Sequence, residues 1–289
     1  MECHICGCGD FYAWGRQGEY SIFQCRSCGL GVTSPFPVAD TAEKINKETY
    51  NGEQRAAIYS AREKEFKKRY GGYLARIKRF KPEGSLLDVG CNIGLFMKAA
   101  CQEGFAVTGI EMNASCAAYG KEKFGLDIHS STLKTAAFRD GAFDVVTLFD
   151  VLEHIPDMGG FLAEVNRILK SGGLLVVQSP NLDSFMARLL KGNWSWLAPP
   201  DHLYHFTPRA MESILVANGL SVRDVRTWEP AADFSGNILS GFHARGLVGK
   251  MLKKVLWLAG IVLITFLQRL WWRIKRGGLL EIYAVKTGR

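Results

Sequence analysis

The sequence holds no acidic residue between Arg245 and Arg276, no charge of either sign from Val255 to Leu267, and no basic start leading into an apolar stretch at its N-terminus, MECHICGCGD. The last absence leaves no ground for expecting secretion. The first confines the basic excess to one place. The chain carries 36 lysines and arginines against 28 aspartates and glutamates, a formal net charge of +8, and residues 245–276 supply eight unopposed basic residues. The remainder is formally neutral, which argues against a diffuse nucleic-acid face and for a basic segment flanking something apolar. At 47% hydrophobic and 22% charged, the chain is not of disordered composition. Its 289 residues suffice for one full α/β domain and a small appendage.

Eight cysteines are present, most of them at metal-like spacing, and a reducing cytoplasm is the compartment that suits them. Cys3-His-Ile-Cys6 and Cys25-Arg-Ser-Cys28 are two C-x-x-C knuckles separated by eighteen residues. Each can present two thiolates to one ion, and together Cys3, Cys6, Cys25 and Cys28 would close a tetrahedral structural Zn2+ site. Cys8 and His4 are spare donors nearby, and a reduced, metal-free turn is the alternative. Paired knuckles suit one shared metal better than a redox role. In so short a ribbon, metal binding would supply the folding energy.

The rest of the chain is arranged around Ser85 to Ala100, SLLDVGCNIGLFMKAA, which reads as a strand, a tight turn and a helix. Leu86, Leu87 and Val89 suit a strand buried on both faces. Gly90 and Gly94 let the backbone turn sharply and approach a ligand. A second strand, Phe105 to Ile110, ends in Glu111, where a carboxylate at the sheet edge can bind a ribose diol.

At these residues the chain resembles the class I S-adenosylmethionine-dependent methyltransferases, whose first motif runs acidic-x-Gly-x-Gly-x-Gly. Here it is Asp88-Val-Gly90-Cys91-Asn92-Ile-Gly94, with Asn92 in place of the middle glycine, a residue that tolerates a left-handed backbone better than most. Nicotinamide-binding folds use a similar pattern. Phe143 to Ile155, FDVVTLFDVLEHI, and Leu169 to Asn181, LKSGGLLVVQSPN, follow in the order the resemblance requires. It implies a Rossmann-like seven-stranded α/β sheet with an antiparallel last strand, and S-adenosyl-L-methionine as cofactor. By the same resemblance Asp88 would organise the turn and the amino-acid end of the cofactor, and Gly90, Cys91, Asn92 and Gly94 would form its bed. Glu111 would take the ribose, Met112 the adenine face, Ser131 and Thr132 the adenine edge, and Asp150 would lie near the methionine moiety. Ser131 and Thr132 stand where relatives often present an acid, so that contact is weakened here. A general base would help an acceptor hydroxyl or activated carbon, and His154, His202 and His205 are the candidates.

Strands are expected at Leu86 to Val89, Phe105 to Ile110, Leu126 to His129, Asp144 to Phe149, Leu174 to Gln178, Leu220 to Thr227 and Leu279 to Lys286, with a helix capped by Thr207 running to Asn218. Gln54 to Phe80 has helical spacing, a break at Gly71-Gly72 and charges that read as a solvated face. The expected domains are a zinc ribbon at 1–34, a linker and helix at 35–84, the cofactor domain at 85–229 plus 279–289 with a substrate lid at 181–207, and a hydrophobic, basic insertion at 230–278. The charge-free run Val255 to Leu267 would span about 20 Å as a helix, short of the ~30 Å hydrocarbon core. Peripheral contact of 245–276 with the inner membrane face is therefore expected, a buried helix or dimer interface being the alternative. Similar ribbon, Pro-x-Pro linker and tyrosine-containing orders among bacterial surface-polysaccharide enzymes imply a sugar or glycolipid acceptor. Lipid-quinone methylation, ribosomal RNA methylation and a membrane-anchored scaffold with a degenerate pocket are the alternatives.

Overall fold

The computed structural model describes residues 1–37, 51–230 and 270–288. The charge-free run 255–267 and the linker beyond Pro37 as far as Tyr50 lie outside the described residues. The chain divides into two compact units, one formed by Met1–Pro37, Ser179–Ser213 and Val225–Glu281, the other by Val38–Gln178, Ile214–Asp224 and Ile282–Arg289.

The first unit is built on a four-stranded sheet in which β1 (Phe11–Gln17), β2 (Tyr20–Cys25), β3 (Gly31–Ser34) and β9 (Tyr204–His205) lie in that order, every pairing antiparallel. The fourth strand comes from the stretch expected to be a substrate lid. Instead of a cover, residues 181–207 supply packing to the ribbon: Trp194, Leu197, Leu203 and Phe206 are fully buried, and Trp194 and Leu182 share a cluster with Trp14 and Ile22. A ribbon of some thirty residues cannot enclose a core of its own, and this Trp-rich segment provides one. Gly31 pairs with His205, and a Cβ at Gly31 would stand 2.9 Å from that of His205.

Most of the larger sheet lies in the second unit; its order is β10 (Leu220–Trp228), β11 (Leu279–Lys286), β8 (Leu169–Pro180), β7 (Phe143–Phe149), β4 (Gly84–Val89), β5 (Phe105–Ile110), β6 (Ile128–His129). The pairs from β8 to β6 are parallel, and the last strand is antiparallel as expected. Leu86, Leu87, Val145, Val146 and Leu148 have no accessible surface, which is what apolar runs flanked by helices on both faces require. The expected third strand is shorter than its apolar pattern, and the fifth begins five residues earlier than its pattern.

Helices α1 (Gly52–Ala61) and α2 (Glu63–Phe80) precede the sheet; α3 (Leu95–Gln102), α4 (Ala114–Phe124) and α5 (Met158–Ile168) connect its strands, and α6 (Phe185–Leu190) and α7 (Pro208–Ala217) follow. Asn51 forms a capping box with Gln54 at the start of α1, and Thr207 Oγ1 accepts from the Ala210 N–H at the start of α7. The expected break at Gly71-Gly72 is absent: α2 runs through both glycines, and the interruption falls at Arg62. Two interior glycines cost about 1 kcal/mol each, and burial of Tyr73, Leu74 and Ile77 more than offsets that.

At the amino edge of the sheet Asp144 Oδ2 accepts from the Ser85 N–H at 2.9 Å, the Ser85 hydroxyl at 2.8 Å and Lys170 Nζ at 2.6 Å. Burial alone would raise its pKa, but the Lys170 and Ser85 hydrogen bonds outweigh burial and hold it at about 2. A depressed carboxyl stabilises the fold above its unfolded pKa, and that contribution is lost as pH falls through the folded value. Asp144→Asn is therefore expected to cost on the order of 2 kcal/mol at pH 7. The gap should narrow as urea denaturation is repeated from pH 4 downwards; a pH-independent gap would contradict the ion-pair account.

Candidate functional site

Strand β4 delivers Asp88 to the carboxyl edge of the large sheet, and the chain then turns through Gly90, Asn92 and Gly94, all in the left-handed region at φ +72°, +53° and +80°. Asn92 holds that conformation with its own side chain, Oδ1 accepting from the Ile93 N–H at 2.9 Å. The Gly90 and Cys91 N–H groups both donate to the Ile110 carbonyl, at 2.8 and 3.0 Å. Glu111, one residue further, accepts from the Asn92 N–H through Oε2 and from the Asn113 N–H through Oε1, each at 2.8 Å. The glycine turn and the acidic end of β5 are thus laced together. Gly94 serves packing rather than ligand approach, since a Cβ there would collide with Leu126.

Above this turn lies a cleft with about 510 Å³ of empty space, bounded by Asp88, Gly90, Cys91 and Asn92 below and by Tyr59, Phe66, Arg69, Tyr70, Phe96 and Phe149 at the sides. Asp88 is buried, with Oδ1 accepting from the Thr147 hydroxyl at 2.6 Å. Burial pushes its pKa up to about 7; the Thr147 hydrogen bond opposes that and the Glu111 charge adds to it. Glu111 is raised too, by burial above all, although the Asn113 and Asn92 N–H groups and Arg55 pull the other way. Asp88, which lines the cleft, and Glu111, bonded to the turn beside it, are thus two neighbouring acids whose charged forms burial disfavours.

At the mouth, Arg69 donates to Gln178 Oε1 at 2.7 Å and to the Tyr73 hydroxyl at 2.8 Å, and stands 3.7 Å from Asp150. Gln178 in turn donates to Asp150 Oδ1 at 2.7 Å. The reading of α2's charges as a solvated face is corrected by Arg69. Its position was signalled by an aromatic stripe, Tyr59, Phe66, Tyr70 and Tyr73, at near-helical spacing; a charge among aromatics on the core-facing side is not a surface charge.

Of the other expected residues, Cys91 is buried beneath the turn, packed with Met97, Ala117, Leu126 and Ile128, and Met112 is half-buried. Ser131 Oγ is buried without a hydrogen-bond partner among the described residues, whereas Thr132 is exposed and closes a turn with Thr135. His154 ends a single 3-10 turn after β7, in the second unit. His202 and His205 belong to the first unit. His202 Nδ1 donates to the Trp196 carbonyl at 2.9 Å. His205 is buried, its Nε2 3.0 Å from the Thr33 hydroxyl, and burial lowers its pKa to about 3. A histidine so enclosed braces β9 against β3, and its expected role as a base is corrected accordingly.

In the first unit the sulfurs of Cys3, Cys6, Cys25 and Cys28 lie within 4.8 Å of one another. Two edges of the cluster measure 3.3 Å (Cys3 to Cys28) and 3.7 Å (Cys6 to Cys25), and all four cysteines are free of disulfides. Tetrahedral coordination with bonds of about 2.3 Å puts sulfurs about 3.8 Å apart, so the donor set fits one ion. The spare donors are otherwise engaged: His4 Nδ1 meets the Tyr204 hydroxyl at 2.8 Å and Cys8 accepts from the Asp10 N–H.

A mostly parallel sheet, a left-handed glycine turn between β4 and α3, and an acid at the end of the neighbouring strand define a Rossmann-like nucleotide-binding protein of methyltransferase architecture. Residues 61–225, more than half of the chain, match the methyltransferase-domain family, and the chain belongs to it. It is 39% identical over 103 residues to a ubiquinone biosynthesis O-methyltransferase of Caulobacter vibrioides, covering 34% of this chain and 41% of that one. It is 30% identical over 161 residues to the Bradyrhizobium sp. (strain ORS 278) protein of the same name, covering 51% and 63%. The chain thus spans less than two thirds of the length of these relatives. A SAM-dependent methyltransferase structure from Methanosarcina mazei aligns with a TM-score of 0.51 at 15% identity, over 74% of this chain and 97% of that one. That likeness shows the fold.

An acid whose folded pKa is raised contributes stability that is complete below its unfolded pKa and is lost as pH rises through the folded value. Asp88 therefore destabilises the folded chain progressively from about pH 4 to about pH 7. Asp88→Asn, which keeps an acceptor for Thr147, is expected to be more stable than the parent at pH 8 by on the order of 3 kcal/mol. By pH 4 the two should be indistinguishable in urea denaturation; a parent more stable at pH 8 would refute the buried-charge assignment.

Proposed function

We propose that the chain is an S-adenosylmethionine-dependent methyltransferase acting on the phenolic oxygen of a quinone-type lipid precursor. What carries the proposal is the cleft: a buried acid with no basic group among the described residues lowering its pKa, under aromatic walls and beside a left-handed turn whose first glycine, Gly90, is exposed. Bound there, S-adenosylmethionine would supply an activated methyl group on a cationic sulfur, leaving the protein chiefly the tasks of alignment and proton removal.

Asp88 would hold the amino group of the methionine portion, and Arg69, fixed by Tyr73 and Gln178, would take its carboxylate, with Asp150 at the same edge. Each Glu111 oxygen spends one lone pair on backbone and keeps another for ribose hydroxyls. The unpartnered Ser131 hydroxyl is a candidate for the adenine edge. Tyr70, Phe96 and Phe149 would shield the sulfonium from water and attract it by their faces. Of the three histidines considered, His154, in the turn that follows β7, is the candidate to accept a phenol proton, whereas His205 is enclosed and made a weak base by burial.

The named relatives support an aromatic hydroxyl acceptor. The four-cysteine cluster supports the other acceptor class, a sugar or glycolipid of surface-polysaccharide synthesis, since a zinc ribbon ahead of the cofactor domain is part of that resemblance. The basic residues and charge-free run of 245–276 fit either acceptor presented at the cytoplasmic face of a membrane. Transfer of labelled methyl from S-adenosylmethionine to short-chain catechol quinone precursors and to nucleotide-sugar and lipid-linked sugar acceptors decides between them. Turnover of the catechol, reduced at least tenfold by Arg69→Ala, is the expected outcome; turnover of sugars alone would transfer the assignment, and no cofactor binding by calorimetry would end it.

We further propose that Cys3, Cys6, Cys25 and Cys28 bind a structural Zn2+. Of the four, Cys6 is exposed; slight burial opposes ionisation, but the Cys8 N–H and the Ser27 hydroxyl outweigh it and bring its pKa to about 7. The chain purified without chelator is expected to carry about one zinc. Cys3→Ser combined with Cys28→Ser should lose it and lower the thermal midpoint, as measured by elemental analysis and calorimetry; full stability without metal would rule the site out.

A further inference from the structure

The first unit leaves four large apolar side chains exposed on two adjacent elements. On α6, Phe185 is 40% and Leu189 62% exposed; on the segment that follows the charge-free run, Leu270 is 54% and Ile274 59% exposed. Each pair is spaced i, i+4, so each lies on one face of its helical turn, while Met186 and Ala187 of α6 point into the core. Residues 270–273 are helical. The two elements are joined: Phe185 stacks on Trp271 with ring centroids 4.2 Å apart, the Phe185 N–H donates to the Arg276 carbonyl at 3.0 Å, and Arg276 Nη1 donates to the Asp183 carbonyl at 2.8 Å.

Arg188 on α6 and Arg273, Lys275 and Arg276 beside Leu270 and Ile274 neighbour these side chains in sequence, while the Lys191 ammonium lies over the Trp14 ring. Among the described residues the acid paired with Arg188 and Arg276 is Asp183, at 2.6 and 3.6 Å. Contiguous exposed apolar side chains rimmed by cations are costly in water and match a surface that is apolar within and anionic at its face. The sequence running into Leu270, charge-free from Val255 to Leu267 with Arg269 beyond it, continues the same chemistry. Among the described residues no helix is long and apolar enough to cross a membrane.

We propose that α6, through Phe185 and Leu189, forms with Leu270 and Ile274 a membrane-docking surface for anionic phospholipid. The chain would then meet the bilayer by two elements distant in sequence rather than through 245–276 alone. The Phe185–Trp271 stack would sit at the headgroup level, where amphipathic rings are favoured, with Arg273 and Lys275 reaching phosphates. This rests on the reading that the chain works at a membrane but not on which acceptor it methylates.

The test is co-sedimentation of the full-length chain with vesicles of phosphatidylcholine containing phosphatidylglycerol, and with pure phosphatidylcholine. The parent is expected to bind the anionic vesicles preferentially and to lose binding as salt is raised. Leu189→Ser, at a position already largely exposed and so harmless to folding, should weaken binding about tenfold, as should Arg273→Gln with Lys275→Gln. Methyl transfer to a water-soluble acceptor, assayed without vesicles, should be unchanged in these variants, which separates docking from catalysis. Parent-like vesicle binding by Leu189→Ser, or no binding by the parent, overturns the proposal. So does a parent that forms dimers which Leu189→Ser disperses while vesicles capture neither.

Discussion

Everything at the candidate site depends on the lacing of one backbone turn to the end of the adjacent strand. Gly90, Asn92 and Gly94 adopt left-handed φ in alternation, a sequence of conformations that costs an ordinary residue about 1–2 kcal/mol at each position. What holds them there is the set of bonds to Ile110 and Glu111. In return the turn leaves Gly90 exposed and starts α3 at the cleft, with Leu95 and Phe96 in its lining. Glu111 is therefore a structural acid in its own right, and its remaining lone pairs are oriented by the backbone bonds it has already made.

The sheet was readable because parallel strands buried on both faces leave almost unbroken apolar runs. Phe105–Ile110 and Leu279–Lys286 coincide with their expected limits, and β7 differs from its pattern by one residue. Errors arose where local preference and tertiary packing disagree. Gly71-Gly72 suggested a break, yet Tyr73, Leu74 and Ile77 bind α2 to the core across it. Leu126 is apolar and buried without being a strand residue, because it packs beside Gly94. The floor of the cleft, Asp88 to Gly94, was legible from spacing, since the turn imposes its own residue types. Its walls were not: Arg69, Tyr70 and Phe149 come from elements far apart in sequence, and only the fold brings them together.

The same distinction explains the segment 181–207. Its length and its Trp, Pro and His content suggested a cover for the acceptor. In the structure its apolar residues form the core that the cysteine knuckles and three short strands lack, and His205 is enclosed in the process. Sequence composition reported correctly that something must be buried there. It carried no information about what would be buried against it.

Asp88 shows most directly how function shapes stability in this chain. A buried carboxyl group with one neutral hydrogen bond from Thr147 and a second acid nearby is an unfavourable choice for folding alone, and asparagine would satisfy Thr147 equally well. A buried group of this kind persists where its charge is used. The cation that would restore the balance is one carried by a ligand, since none of the described basic residues lowers the pKa of this acid. On the proposed function, binding such a ligand would convert a destabilising proton affinity into binding energy and offset the cost that the buried acid imposes on the fold around it.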